Sequence, residues 1–101
     1  MSWGSALRKV RGGKTVKVEV RVEEGVIREV VISGDFFAYP PEAIEELERA
    51  LVGASVEEAA SVVRSFKGRV QVVGASLKDF EELLVEAARH AEESAPKGEG
   101  P

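Results

Sequence analysis

Cysteine is missing from all 101 residues, and histidine occurs once, at His90. Without a thiol the chain can hold no disulfide framework, no thiolate metal site and no cysteine nucleophile. A lone histidine cannot supply a multi-histidine metal centre. Ser33, Ser61 and Ser65 lie far in sequence from that histidine, so none reads as an activated serine. Long apolar runs are missing too: no stretch approaches the roughly 18 residues that a membrane-spanning helix needs. Met1 to Arg11 are basic but lack an apolar stretch and cleavage site, so no secretory signal is read and the expected compartment is the cytoplasm. Positive charge is not in excess. The net charge of -4 gives no reason to expect nucleic acid as a partner.

What is present suits a folded domain. Hydrophobic residues make up 44% of the chain and charged residues 32%, a balance that favours one small core over disorder. The length allows a single domain with a modest interior. Residues 1–13 show no clear period and read as a flexible basic arm. Trp3 would then be exposed, which suggests a contact. The tail, 94–101, is rich in Pro and Gly and reads as disordered. Between them, 14–93 read as the domain itself.

The domain opens on a strict alternation. Val16, Val18, Val20 and Val22 are interleaved with Lys17, Glu19, Arg21 and Glu23. A period of two puts the valines on one face of a strand and the charges on the other. Glu24-Gly25 is a hairpin turn. Val26 to Ser33 is a second, antiparallel strand, and its higher apolar content predicts a central place in the sheet. After Pro40-Pro41 a first helix carries Ala43, Ile44, Leu47 and Leu51 on one stripe and stops at Gly53. Ser55 to Glu58 form a capping box that starts a second helix, running to about Phe66. Val70 to Val73 make a short third strand, and a last helix runs from Leu77 to about Glu93. The order β-β-α-α-β-α predicts an α+β two-layer sandwich. Its three-stranded, mostly antiparallel sheet has helices on one face, and the charged face is left to water or a partner.

Two segments could carry chemistry. Gly34-Asp35-Phe36-Phe37-Ala38-Tyr39 follows the second strand. Its aromatics either cap the core at a tight strand-to-helix turn or are presented to a partner, and both readings stand here. Gly12-Gly13-Lys14 precedes the first strand of the domain. Adjacent glycines let backbone amides approach an anion, and lysine is a point-charge phosphate binder. Because the segment leads into a strand and not a helix, it is no dinucleotide or Walker fingerprint, and a plain linker is the competing reading. The pairs Glu57-Glu58 and Glu81-Glu82 sit in first turns of helices, where they serve the helix dipole. His90, late in the last helix, reads as a dipole partner or surface group.

Taken together, the Gly-Gly-Lys segment, the valine-rich hairpin and Ile32-Ser33-Gly34-Asp35-Phe36-Phe37 ahead of proline and a Glu-rich helix resemble one family. It is the C-terminal accessory domain of lipoate–protein ligases, in particular the separately encoded small subunit found with archaeal ligases. The likeness covers residues 11–53 and continues more loosely through the last helix. It implies a non-catalytic subunit that a catalytic subunit requires to activate lipoate to lipoyl-adenylate with ATP, before lipoyl transfer to a lysine of an acceptor domain. ATP, Mg and lipoate would be bound by that partner subunit and none by this chain alone. The resemblance makes Gly12, Gly13 and Lys14 the candidates to face the nucleotide, and Gly34, Asp35, Phe36, Phe37 and Tyr39 the candidates for docking. The alternative is a non-catalytic scaffold or binding domain for another protein. The fold also resembles small sulfur-acceptor and iron–sulfur scaffold domains, but those work through cysteines that this chain lacks.

Overall fold

The structure, a computed structural model, describes residues 2–10, 12 and 14–93. Its elements are β1 (Ser2–Lys9), β2 (Thr15–Glu23), β3 (Val26–Gly34), β4 (Phe37–Tyr39), α1 (Ala43–Leu51), α2 (Ala59–Arg64, preceded by a 3-10 turn at Val56–Glu58), β5 (Gln71–Val73) and α3 (Leu77–Glu93). The α+β class and the antiparallel three-stranded sheet agree with expectation; the strands that build it do not. The sheet is β1-β2-β3, and β5 pairs with β4 in a separate two-stranded ladder.

The expected arm at 1–13 is therefore corrected over Ser2–Lys9, which pair antiparallel with β2 from Ser2↔Val22 to Lys9↔Thr15. The inward residues of β1 are Ser2, Gly4 and Ala6. They are small, so no hydrophobic alternation announces the strand, yet small residues let a helix approach closely. A Cβ on Gly4 would overlap the Ala87 carbonyl oxygen and the Ala91 amide nitrogen, and would lie 2.9 Å from the Ala91 Cα. Ala87 and Ala91 make this close contact from the α3 side, and both are buried. His90 Nδ1 donates to the Ser5 carbonyl at 2.9 Å, so the histidine ties α3 to β1. Residues 1, 11, 13 and 94–101 lie outside the described residues, and with them Gly13 and the tail.

The valine face of β2 is fully interior: Val16, Val18 and Val20 are inaccessible to solvent, beneath α3. The turn after β2 takes left-handed backbone at both Glu24 (φ 55) and Gly25 (φ 76), the geometry that matches the twist of a two-residue hairpin. The register then slips between Arg21 and Val22, so Arg21 faces Glu29 while Val22 faces Ile27. This bulge keeps Ile27 and Val30 both inward despite their spacing of three.

β2, not β3, is the central strand. The apolar content of β3 reflects a different burial. Its outer edge is closed by the chain following α1, through Ile27 N–H to the Ala54 carbonyl (2.9 Å), Gly53 N–H to the Ile27 carbonyl (2.8 Å) and Val56 N–H to the Gly25 carbonyl (3.1 Å). Farther along, the Ile32 amide donates to Glu48 Oε2 of α1 at 2.7 Å. An edge strand whose amides are taken this way is not a free template for pairing.

α1 lies against β3 and buries Ala43, Leu47 and Leu51. Ser55 caps the next helical segment: its hydroxyl accepts from the Glu58 amide (3.2 Å), and Glu58 Oε1 accepts from the Ser55 amide (3.0 Å). α3 starts with the same device in a shorter form, Ser76 Oγ accepting from the Asp79 amide (3.1 Å) and Asp79 Oδ2 from the Ser76 amide (3.0 Å). Its apolar stripe, Phe80, Leu83, Leu84, Ala87 and Ala91, is essentially inaccessible to solvent. No helix among the described residues is long and apolar enough to cross a membrane.

Candidate functional site

The β1–β2 connection and the β3–β4 connection meet at one end of the three-stranded sheet. The β1–β2 turn is closed by the Val10 amide donating to the Lys14 carbonyl at 2.7 Å. One residue on, the Thr15 amide donates to Asp35 Oδ2 at 3.3 Å, and the Asp35 amide donates back to the Thr15 carbonyl at 2.8 Å. Gly34 makes this approach possible. Its φ of +146° is glycine's territory, and a Cβ there would overlap the Thr15 carbonyl oxygen and stand 2.8 Å from the Val16 Cα.

Beyond Asp35 the aromatics divide. Phe36 turns in and packs on Phe80, ring centroids 5.0 Å apart at 58°, a tilted pairing favoured by ring quadrupoles. Phe37 turns out. In the β4–β5 ladder Phe37 stands opposite Val73 and Tyr39 opposite Gln71. Phe37, Tyr39 and Val73 are 64%, 55% and 47% exposed on that outer face, while Val72 between them packs toward the core. Together they leave an exposed apolar patch on one face of the ladder.

The two candidate segments line one shallow depression of about 430 Å³, walled by Gly12, Lys14, Gly34, Asp35, Phe36 and Phe37. Tyr39 is not in its wall; it stands on the same ladder face as Phe37. Gly12 has left-handed backbone (φ 75) with open space where a side chain would be. Lys14 is exposed, and among the described residues it makes no ion pair. The depression thus offers a cation, a carboxylate already engaged with backbone, and an aromatic rim.

Val73, expected only as the end of a strand, and Gly74 also belong to this neighbourhood. A Cβ on Gly74 (φ 93) would sit 3.1 Å from the Asp35 carbonyl oxygen and 3.4 Å from the Phe36 Cα, so β5 ends hard against the motif. The available signal was the glycine directly after a β-branched run. A second hollow of about 800 Å³ lies between the end of β1 and the start of α3. Its Arg8 is already committed to Glu82 (2.8 Å) and Asp79 (3.6 Å), and the hydrogen bond to Glu82 holds the guanidinium pKa above its ordinary value.

The family model for the bacterial lipoate protein ligase C-terminus matches residues 8–84, a span that contains both candidate segments. Lipoate-protein ligase A subunit 2 of Thermoplasma acidophilum is 33% identical over 70 residues, covering 68% of this chain and 74% of that protein. Among solved structures, a chain of the archaeal lipoylation system of Thermoplasma acidophilum, a bi-partite lipoate protein ligase and its E2 lipoyl domain, superposes with a TM-score of 0.74 at 29% identity. That superposition covers 83% of this chain and 97% of the other. The chain belongs to the lipoate–protein ligase C-terminal domain family.

Proposed function

We propose that this chain is the accessory subunit of a bipartite lipoate–protein ligase. A separate catalytic subunit binds ATP, Mg and lipoate and requires this chain to form lipoyl-adenylate; lipoyl then passes to a lysine of an acceptor domain. This chain performs no reaction by itself, and the pair works in the cytoplasm. The observation that carries the proposal is the near end-to-end superposition on one chain of a bi-partite ligase, 97% of that chain. Likeness over nearly all of that chain supports carrying the role of a ligase subunit over to this one.

The surface chemistry supports a division of labour. The Phe37–Tyr39–Val73 face supplies apolar anchors for the catalytic subunit. Lys14, beside them, brings a cation to the activated phosphate, where charge develops as pyrophosphate leaves. A lysine supplied from a neighbouring subunit acts only when the two are docked, which makes activation depend on the complex. The test is reconstitution. Purified catalytic subunit is given lipoate, Mg and ATP with and without this chain, and lipoyl-adenylate and pyrophosphate are measured. Stimulation is expected. Equal adenylate formation without the chain would end the proposal.

A further inference from the structure

The peptide unit that joins Lys14 to Thr15 is held at both of its polar ends. Its carbonyl oxygen, belonging to Lys14, accepts from the Val10 amide at 2.7 Å. Its N–H, belonging to Thr15, donates to the Asp35 carboxylate at 3.3 Å. The grip is closed on the other side by the Asp35 amide donating to the Thr15 carbonyl at 2.8 Å, over a Gly34 that leaves no room for a Cβ. A peptide plane fixed at both ends restricts the directions in which the Lys14 Cα–Cβ bond can leave the chain. Its four-carbon side chain stays free to reach.

Asp35 is thus spent on backbone, although its exposed position beside two phenylalanines would suit a residue that meets a partner. We infer that Asp35 is a positioning residue for Lys14: its carboxylate aims the lysine into the depression, and it acts on the reaction only through that lysine. The inference rests on the accessory function proposed above and deepens it. The two motifs, twenty residues apart in sequence, are one device. The carboxylate's negative charge is incidental to it; what counts is an oxygen placed to accept from Thr15.

The test is a mutant cycle in the reconstituted ligase, read as the rate of adenylate formation at saturating subunit. Asp35→Ala is expected to lower the turnover roughly tenfold, the factor that follows from losing one hydrogen bond to a carboxylate. Asp35→Asn keeps an acceptor oxygen and is expected to recover to within about threefold of wild type. In a Lys14→Ala background, Asp35→Ala should change the rate by less than about twofold, because the two residues act as a unit. The affinity of the two subunits should not move.

Three results would overturn the inference. One is an equal loss from Asp35→Ala with and without Lys14. Another is a loss from Asp35→Asn as large as that from Asp35→Ala, which would mean that the charge itself meets the partner. The third is a weakened subunit complex in place of a lowered turnover. Should Asp35→Ala fail to fold, Asp35→Ser, whose shorter side chain withdraws the acceptor from the Thr15 amide, takes its place in the cycle with the same outcomes. Absence of stimulation by the wild-type chain overturns the accessory function and this inference together; stimulation without coupling overturns only the inference.

Discussion

Replacing Gly4 by alanine tests whether the first residues are packed structure. Gly4 carries no unusual backbone angle, so the cost of a methyl group is steric alone. The obstacles are the Ala87 carbonyl oxygen, the Ala91 amide nitrogen and the Ala91 Cα, the last at 2.9 Å. All are backbone of α3, and backbone cannot swing aside as a side chain does. Either α3 withdraws from β1 or the strand leaves the sheet. Overfilling a close contact costs about 1–3 kcal/mol, and a backbone obstacle puts this case near 3. A domain of this size has about 5–15 kcal/mol in total, so the loss is a large share. The thermal midpoint should fall by about 10–20 °C.

Urea unfolding followed by far-UV circular dichroism is the assay, with a lower midpoint and unchanged slope expected. Gly68→Ala is the control. Gly68 has φ +85 but nothing within 4 Å of a built Cβ, so it reports only the conformational penalty, about 1 kcal/mol. If Gly4→Ala costs no more than Gly68→Ala, β1 does not pack on α3 and the register from Ser2↔Val22 to Lys9↔Thr15 is wrong.

Three further outcomes follow from the packing. Phe80→Ala removes a fully buried ring and the partner of Phe36, and should cost about 3–5 kcal/mol in the same urea titration. Ser55→Ala breaks the capping box and should cost about 1 kcal/mol, with Ser55→Asp recovering most of it. Phe37→Ala should leave stability within about 0.5 kcal/mol, since the ring is 64% exposed. Its binding to the catalytic subunit, followed by titration calorimetry, should nonetheless weaken by roughly tenfold or more; unchanged affinity would remove Phe37 from the interface.

The legible elements were those whose burial is written in large residues. The alternation from Val16 to Val22, the left-handed pair at Glu24-Gly25, the Ser55 capping box and the stripe from Phe80 to Ala91 each carry a local physical signature. β1 carries none, because Ser2, Gly4 and Ala6 are inside by virtue of being small, and only the alanines of α3 explain them. Missing that strand also displaced the centre of the sheet, making the apolar β3 look central when Glu48 and the segment Gly53–Val56 close its edge. β5 was seen, but its partner was not: three residues hold no information about whether they join a neighbouring sheet or found another. At the site, the two phenylalanines could not be told apart by sequence, since inside and outside were decided by the Phe80 ring and by the pairing of Phe37 with Val73.

Residues 34 to 37 then show how little of this surface needs to move when a partner arrives. Gly34 allows the backbone to close on Thr15, Asp35 holds the Lys14–Thr15 peptide, and Phe36 is anchored on Phe80. Phe37 is thereby fixed at its backbone on both sides, by that anchor and by its ladder partner Val73. Ordering a loop on binding costs free energy that must be recovered from contacts. Here the cost has been met during folding, by hydrogen bonds and core packing that exist whether or not a second subunit is present. Only exposed side chains, Phe37 and Tyr39 on the ladder and Lys14 over the depression, remain to be ordered. On the accessory function proposed above, the rigid part sets where the partner sits, and the long, exposed lysine supplies the reach from that position to the charge it neutralises.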